Sequence, residues 1–145
     1  MYRHILIATD GSDMSGRAVE AGLKLALELR ARATAVTVTP PFHPLSLAAA
    51  QLEYSIEGYR KHVQEEAART LDKVRAQADA TGLGCETVHV THDHPWEAIL
   101  ETAREHQCDL ITMASHGRRG LGAVLVGSET LRVLTHSTIP VLVYR

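Results

Sequence analysis

Residues 109–136 read Asp109-Leu-Ile-Thr-Met-Ala-Ser-His-Gly-Arg-Arg-Gly-Leu-Gly-Ala-Val-Leu-Val-Gly-Ser-Glu-Thr-Leu-Arg-Val-Leu-Thr-His136. The stretch falls into three parts. Asp109–Met113 is a strand-like run, residues 114–128 carry four glycines (Gly117, Gly120, Gly122 and Gly127), and Glu129–His136 reads as a helix. A strand that ends in a glycine-rich loop and then enters a helix is a way to hold phosphate. Glycine lets the backbone approach an anion closely, and the first turn of a helix offers N–H groups with partial positive charge.

Working outward, strand and helix alternate along the whole chain. His4–Ala8 is a short continuous apolar run, as a strand covered on both faces should be. Ala18, Gly22, Leu25, Ala26 and Leu29 fall at helical spacing and predict a helix over about 14–32. Ala35–Thr39 is a β-branched second strand, ended by Pro40, Pro41 and Pro44. Residues 40–56 are the least legible, with Ser46–Leu52 readable as a short helix or a loop that lids the cleft. A long helix starts near Ile56, carries Val63, Ala67, Leu71, Val74 and Ala78 on one stripe, and closes at Gly82 and Gly84. Glu86–Thr91 is strand three, Pro95 opens the next helix, and Pro140–Tyr144 is strand five.

This alternation implies an α/β fold: a five-stranded parallel sheet in the order 3-2-1-4-5 between helices, a three-layer sandwich of the flavodoxin or Rossmann-like kind, in one domain over 1–145. Such sheets bind ligands beyond the carboxyl ends of their strands, where the strand order reverses. Here the reversal falls between strands one and four, whose loops begin at Asp10 and Ala114.

Composition narrows the function. The chain has 145 residues, 45% hydrophobic and 22% charged, with a formal charge of −2, which argues against nucleic acid or an anionic membrane as the main partner. One Phe and one Trp leave no stacking platform for single strands. No apolar run reaches membrane-spanning length and the chain enters a strand at once, so a cytoplasmic protein is expected. Cys85 and Cys108 have no metal-ligand or disulfide spacing and read as packed thiols. Among nine histidines, His89, His92 and His94 cluster at the end of strand three, but no ligand set completes a metal site.

No Gly-x-Gly-x-x-Gly follows strand one, and Gly122-x4-Gly127-Ser128 has P-loop spacing with Ser where Lys is needed. What remains is Ala114-x2-Gly117-x9-Gly127-Ser128. With Ala8-Thr-Asp-Gly-Ser12, Met113-Ala-Ser-His-Gly117 and the closing Val133-Leu-Thr-His-Ser-Thr-Ile-Pro-Val-Leu-Val-Tyr144, the chain resembles the universal stress protein family. Its ATP-binding branch carries Gly-x2-Gly-x9-Gly-[Ser/Thr], and this sequence departs from it with Ala114 in the first position. That change matters if φ there is positive or if phosphate packs on the Cα.

The resemblance implies an ATP-binding regulatory or stress-protective module, with Mg²⁺ accompanying the nucleotide. It places Ala8, Thr9, Asp10, Val38, Met113, Ala114, His116, Gly117, Arg118, Arg119, Gly127, Ser128 and Glu129 around the nucleotide. Asp10 would meet the ribose or the adenine edge, and Val38 would line the adenine pocket. Gly117 and the N–H groups of Gly127, Ser128 and Glu129 would hold phosphate, beside Arg118, Arg119 and His116. Each has a plainer role open to it: Asp10 as a turn or helix cap, Ser128 as an N-cap, the arginines as solvated charges. No catalytic set is legible; slow ATP hydrolysis and a nucleotide-free interaction protein of the same fold are the alternatives. The resemblance also implies a homodimer through residues 140–144, an apolar edge strand.

Overall fold

The computed structural model describes residues 1–43, 55–117 and 126–145. In chain order the elements are β1 (His4–Ala8), α1 (Asp13–Leu29), β2 (Arg32–Thr39), α2 (Ile56–Ala80), β3 (Cys85–Thr91), α3 (Pro95–Glu105), β4 (Leu110–Ala114), α4 (Ser128–His136) and β5 (Val141–Tyr144). The five strands form one parallel sheet in the order β3-β2-β1-β4-β5, with Ile5 opposite Ala33 on one side and Leu110 on the other. The strand order matches the expectation from the alternating pattern.

β1 is buried at every position because both of its faces are covered. Ile5 and Ile7 pack with Val19 and Leu23 of α1 and Leu71 and Val74 of α2. Leu6 and Ala8 point the other way, to Ile99 and Leu100 of α3 and Val133 of α4. Alternate side chains of one strand thus feed two cores, which makes the three layers. Leu6 has no solvent exposure, so Leu6→Ala should cost about 3 kcal/mol. Gly22 lets α1 lie close to the sheet: a Cβ there would stand 2.8 Å from Thr112 Oγ1 and 3.2 Å from the Ile7 side chain.

The differences from the sequence reading sit at element ends. α1 stops at Leu29, not residue 32, because Arg30 turns left-handed (φ 55°) and Ala31 N–H donates to Ala26 O. β2 accordingly starts at Arg32, where pairing to β1 outweighs the weak strand preference of Arg32 and Ala33. Beyond α2, Gly82 (φ 75°) donates to Asp79 O while Leu83 N–H donates to Ala78 O, the Schellman arrangement that its glycine predicted. β4 is displaced by one residue, and Asp109 is left out as a carboxylate that binds the chain start. Ser46–Leu52, with the lid suggested for it, lies outside the described residues. Among those described, no helix is long and apolar enough to cross a membrane.

Candidate functional site

A cleft of about 450 Å³ opens at the carboxyl ends of β1 and β4, where the strand order reverses. Its apolar walls include Ala8, Val36, Val38, Pro40, Ile99, Met113 and Ala114. Polar groups come from Thr9, Asp10 and Ser15 on the β1 side, His92 and Asp93 after β3, and His116, Ser128, Glu129 and Thr130 around the start of α4.

On the β1 side Asp10 Oδ1 accepts the Ser12 N–H at 3.0 Å, a turn formed by the aspartate side chain itself. The cap of α1 is Ser12, whose Oγ accepts the Ser15 N–H, so Asp10 makes the turn and does not cap the helix. Its Oδ2 lies against Gly117, where a Cβ would stand 2.5 Å away. Thr9 is buried; its Oγ1 lies 2.9 Å from Ser15 Oγ and accepts the Gly11 N–H.

At the β4 side the ends of the glycine segment are pinned together. Ser115 N–H donates to Tyr144 O and Gly127 N–H donates to Ser115 O, each at 2.7 Å, while Thr130 Oγ1 donates to Ala114 O at 2.9 Å. The Gly127 N–H, expected to face phosphate, is engaged by Ser115 O. Ser128 is the first residue of α4 and not its cap; the cap is Gly127, which offers no side-chain acceptor. Gly127 has an ordinary φ of −61°, so its value is close approach: a Cβ there would stand 3.2 Å from Ser115 O. The N–H groups of Ser128, Glu129 and Thr130 open the helix with no intrahelical partner, at its positive end. Beside them His116 Nδ1 lies 3.0 Å from Ser115 Oγ, and its buried Nε2 has no hydrogen-bond partner among the described residues.

Ala114, the departure from the glycine motif, is the last residue of β4 and is not among the positive-φ positions. Its methyl group is therefore compatible with the backbone. Arg118 and Arg119 lie outside the described residues.

The cleft brings together Ala8, Thr9, Asp10, Val38, Met113 and Ala114 with His116, Gly117, Gly127, Ser128 and Glu129. Ser15, Val36, Pro40, His92, Asp93, Pro95, Ile99 and Thr130 line it too and were missed. Some carried a signal: Val36 shares a strand face with Val38 by the two-residue period, and Pro40 and Pro95 follow carboxyl ends of strands. His92 accepts the His94 N–H on Nδ1 at 2.9 Å, and no group of three or more His, Cys, Asp or Glu among the described residues is placed for a metal. Trp96 stacks on His136 with centroids 4.5 Å apart, a packing role. Burial pushes the Cys85 thiol up to about 11 and that of Cys108 to about 12, so both stay protonated at neutral pH.

Against known proteins, the family model described as the universal stress protein family matches residues 1–145. This chain belongs to the universal stress protein family. It is 32% identical to universal stress protein YxiE of Bacillus subtilis, with all of both chains covered. It is 33% identical to universal stress protein MJ0531 of Methanocaldococcus jannaschii, covering all of this chain and 83% of that one. Among solved structures, that of hypothetical protein MJ0577 superposes with a TM-score of 0.83 at 25% identity, covering 99% of this chain and 95% of that one. A universal stress protein solved in complex with cAMP superposes with a TM-score of 0.73 at 27% identity, covering 99% and 97%.

Proposed function

We propose that this family member binds an adenine nucleotide in the cleft between β1 and β4 and acts as a regulatory or stress-protective module. The observation that carries the reading is a pair of unmet polar requirements at one place. Among the described residues the α4 N-terminus has no side-chain cap, and the buried His116 Nε2 beside it has no partner. Buried polar groups are normally satisfied, and a phosphate oxygen accepts from both kinds of donor. The apolar walls around Val36, Val38 and Ile99 suit a purine ring. The cAMP complex of the 27%-identical relative supports the assignment.

In this reading Asp10 takes the ribose hydroxyls, Val38 borders the base, and Gly117 keeps the path to Asp10 open. The N–H groups of Ser128 and Glu129 take phosphate, with Arg118 and Arg119 supplying positive charge. The ligand is an adenine nucleotide, and Mg²⁺ would come with any polyphosphate form of it. One domain over 1–145 carries the site. The outer edge of β5 pairs two copies: Leu142 is 38% exposed there, and among the described residues no strand lies beyond β5. Leu142→Lys should then give monomers in sedimentation, and an unchanged dimer would move the interface elsewhere. A cytoplasmic setting suits the free thiols Cys85 and Cys108.

The test is denaturation of freshly purified protein with chromatography of what it releases, alongside calorimetric titration with adenine nucleotides. Released nucleotide or saturable binding is expected. An empty protein that ignores every adenine nucleotide would overturn the reading.

A further inference from the structure

The first turn of α4 already holds an anion of its own. Glu129 is the second residue of that helix, yet its carboxylate reaches across to α3, where Oε2 accepts the Trp96 N–H at 3.0 Å. α3 needs it: His94 provides no side-chain cap and Pro95 has no N–H, which leaves the Trp96 N–H to be satisfied from outside. A full negative charge is thereby fixed where the positive ends of two helices meet the cleft, and it offsets part of the field that would draw phosphate there. Asp10 and Asp93 line the same cleft, and among its described lining residues there is no Lys or Arg.

We propose that Glu129 sets the number of phosphates the cleft accepts, favouring a nucleotide with one phosphate over a triphosphate. The inference rests on the nucleotide reading above. A nucleoside monophosphate carries about −2 and a triphosphate about −4 near neutral pH, so the repulsion from a fixed carboxylate grows along the series. Against a fixed carboxylate partly screened by water, the two added charges together weaken binding by roughly fivefold. Whatever Arg118 and Arg119 contribute is common to the native chain and to a variant at Glu129, so the comparison isolates this carboxylate.

The experiment is calorimetric titration of the whole chain and of Glu129→Gln with AMP, ADP and ATP, without Mg²⁺. Glutamine keeps an oxygen for the Trp96 N–H, so the cap of α3 survives and only the charge is lost. The native chain should bind AMP more tightly than ATP. The variant should gain about tenfold for ATP and less than about threefold for AMP. An equal change for both nucleotides, or none, would overturn the role of Glu129 while leaving the nucleotide site standing. Binding of no nucleotide by either protein overturns both. Salt screens the repulsion, so the gain in ATP affinity on Glu129→Gln should shrink as NaCl is raised. A gain that salt leaves unchanged sinks the proposal.

Discussion

At the amino ends of the strands, backbone donors are met by the chain itself. Asp109 accepts the Arg3 N–H at 2.8 Å and the His4 N–H at 2.9 Å, and α1, α2 and α3 return to the sheet through tight turns closed by hydrogen bonds to their last carbonyls. At the carboxyl ends the helices begin, and there the supply of acceptors is uneven. α1 has its Ser12 cap, α3 borrows the Glu129 carboxylate, and α4 has no side-chain cap among the described residues. The same parallel topology produces both ends. One end closes because carbonyls and donors leave their elements together, and the other presents helix N-termini to whatever enters. In the proposed reading the first end serves mainly stability and the second binding.

The largest expected effect tests the binding end. Gly127→Val should weaken adenine-nucleotide affinity a hundredfold or more, about 3 kcal/mol, because its side chain forces the helix start away from Ser115 O. The ordinary φ at this position lets the fold survive, which circular dichroism would confirm; unchanged calorimetric affinity would remove phosphate from this helix terminus. Next, Asp109→Ala strikes the closed end and should lower stability to urea by about 1–2 kcal/mol. Nucleotide affinity per folded molecule should not change, and a loss of affinity there would dissolve the division of labour.

Acid gives a smaller, graded effect. Burial, aided by Arg32, holds the His4 imidazole below its ordinary value of 6.5. Burial does the same to His89. The unfolded chain therefore takes up these protons first: the stabilisation is complete above pH 6.5 and declines as pH falls through it. The thermal midpoint should drop between about pH 7 and pH 5. Asp109 adds to this only in stronger acid. Burial alone would raise its carboxyl, but the His4 and Arg3 N–H groups outweigh that and hold it below its ordinary value. His4 lies at the amino end and pairs Nε2 with Thr34 Oγ1 at 2.8 Å; His89 lies near the carboxyl end and pairs with Thr39 Oγ1 at 2.6 Å. Comparing His4→Gln with His89→Gln shows which end carries the acid sensitivity; a flat profile in the native chain would contradict both shifts.

The smallest effect should be a gain. Arg30 and Gln107 both sit at φ 55° in returns to the sheet, a region where glycine is easier. Arg30→Gly and Gln107→Gly should each add about 0.5 kcal/mol to stability in denaturant titration. A loss in either would mean that the side chain contributes more than its backbone costs.

By itself the sequence determined the fold class, the order of the strands and the place where the cleft opens. Apolar runs such as His4–Ala8 and helical stripes such as Leu71, Val74 and Ala78 are local periodic signals, and parallel crossover rules admit few ways to assemble them. The glycine spacing and the loops after strands one and four were likewise legible, because turn chemistry is written in neighbouring residues. Tertiary structure decided how the site's polar groups are spent. Gly127 gives its N–H to Ser115, Glu129 gives its carboxylate to Trp96 thirty-three positions away, and Ser15, Asp93 and Thr130 join the cleft from separate elements. The reason is physical. A hydrogen bond between distant residues depends on how two helices approach across a shared core, and no pattern within either helix records that distance.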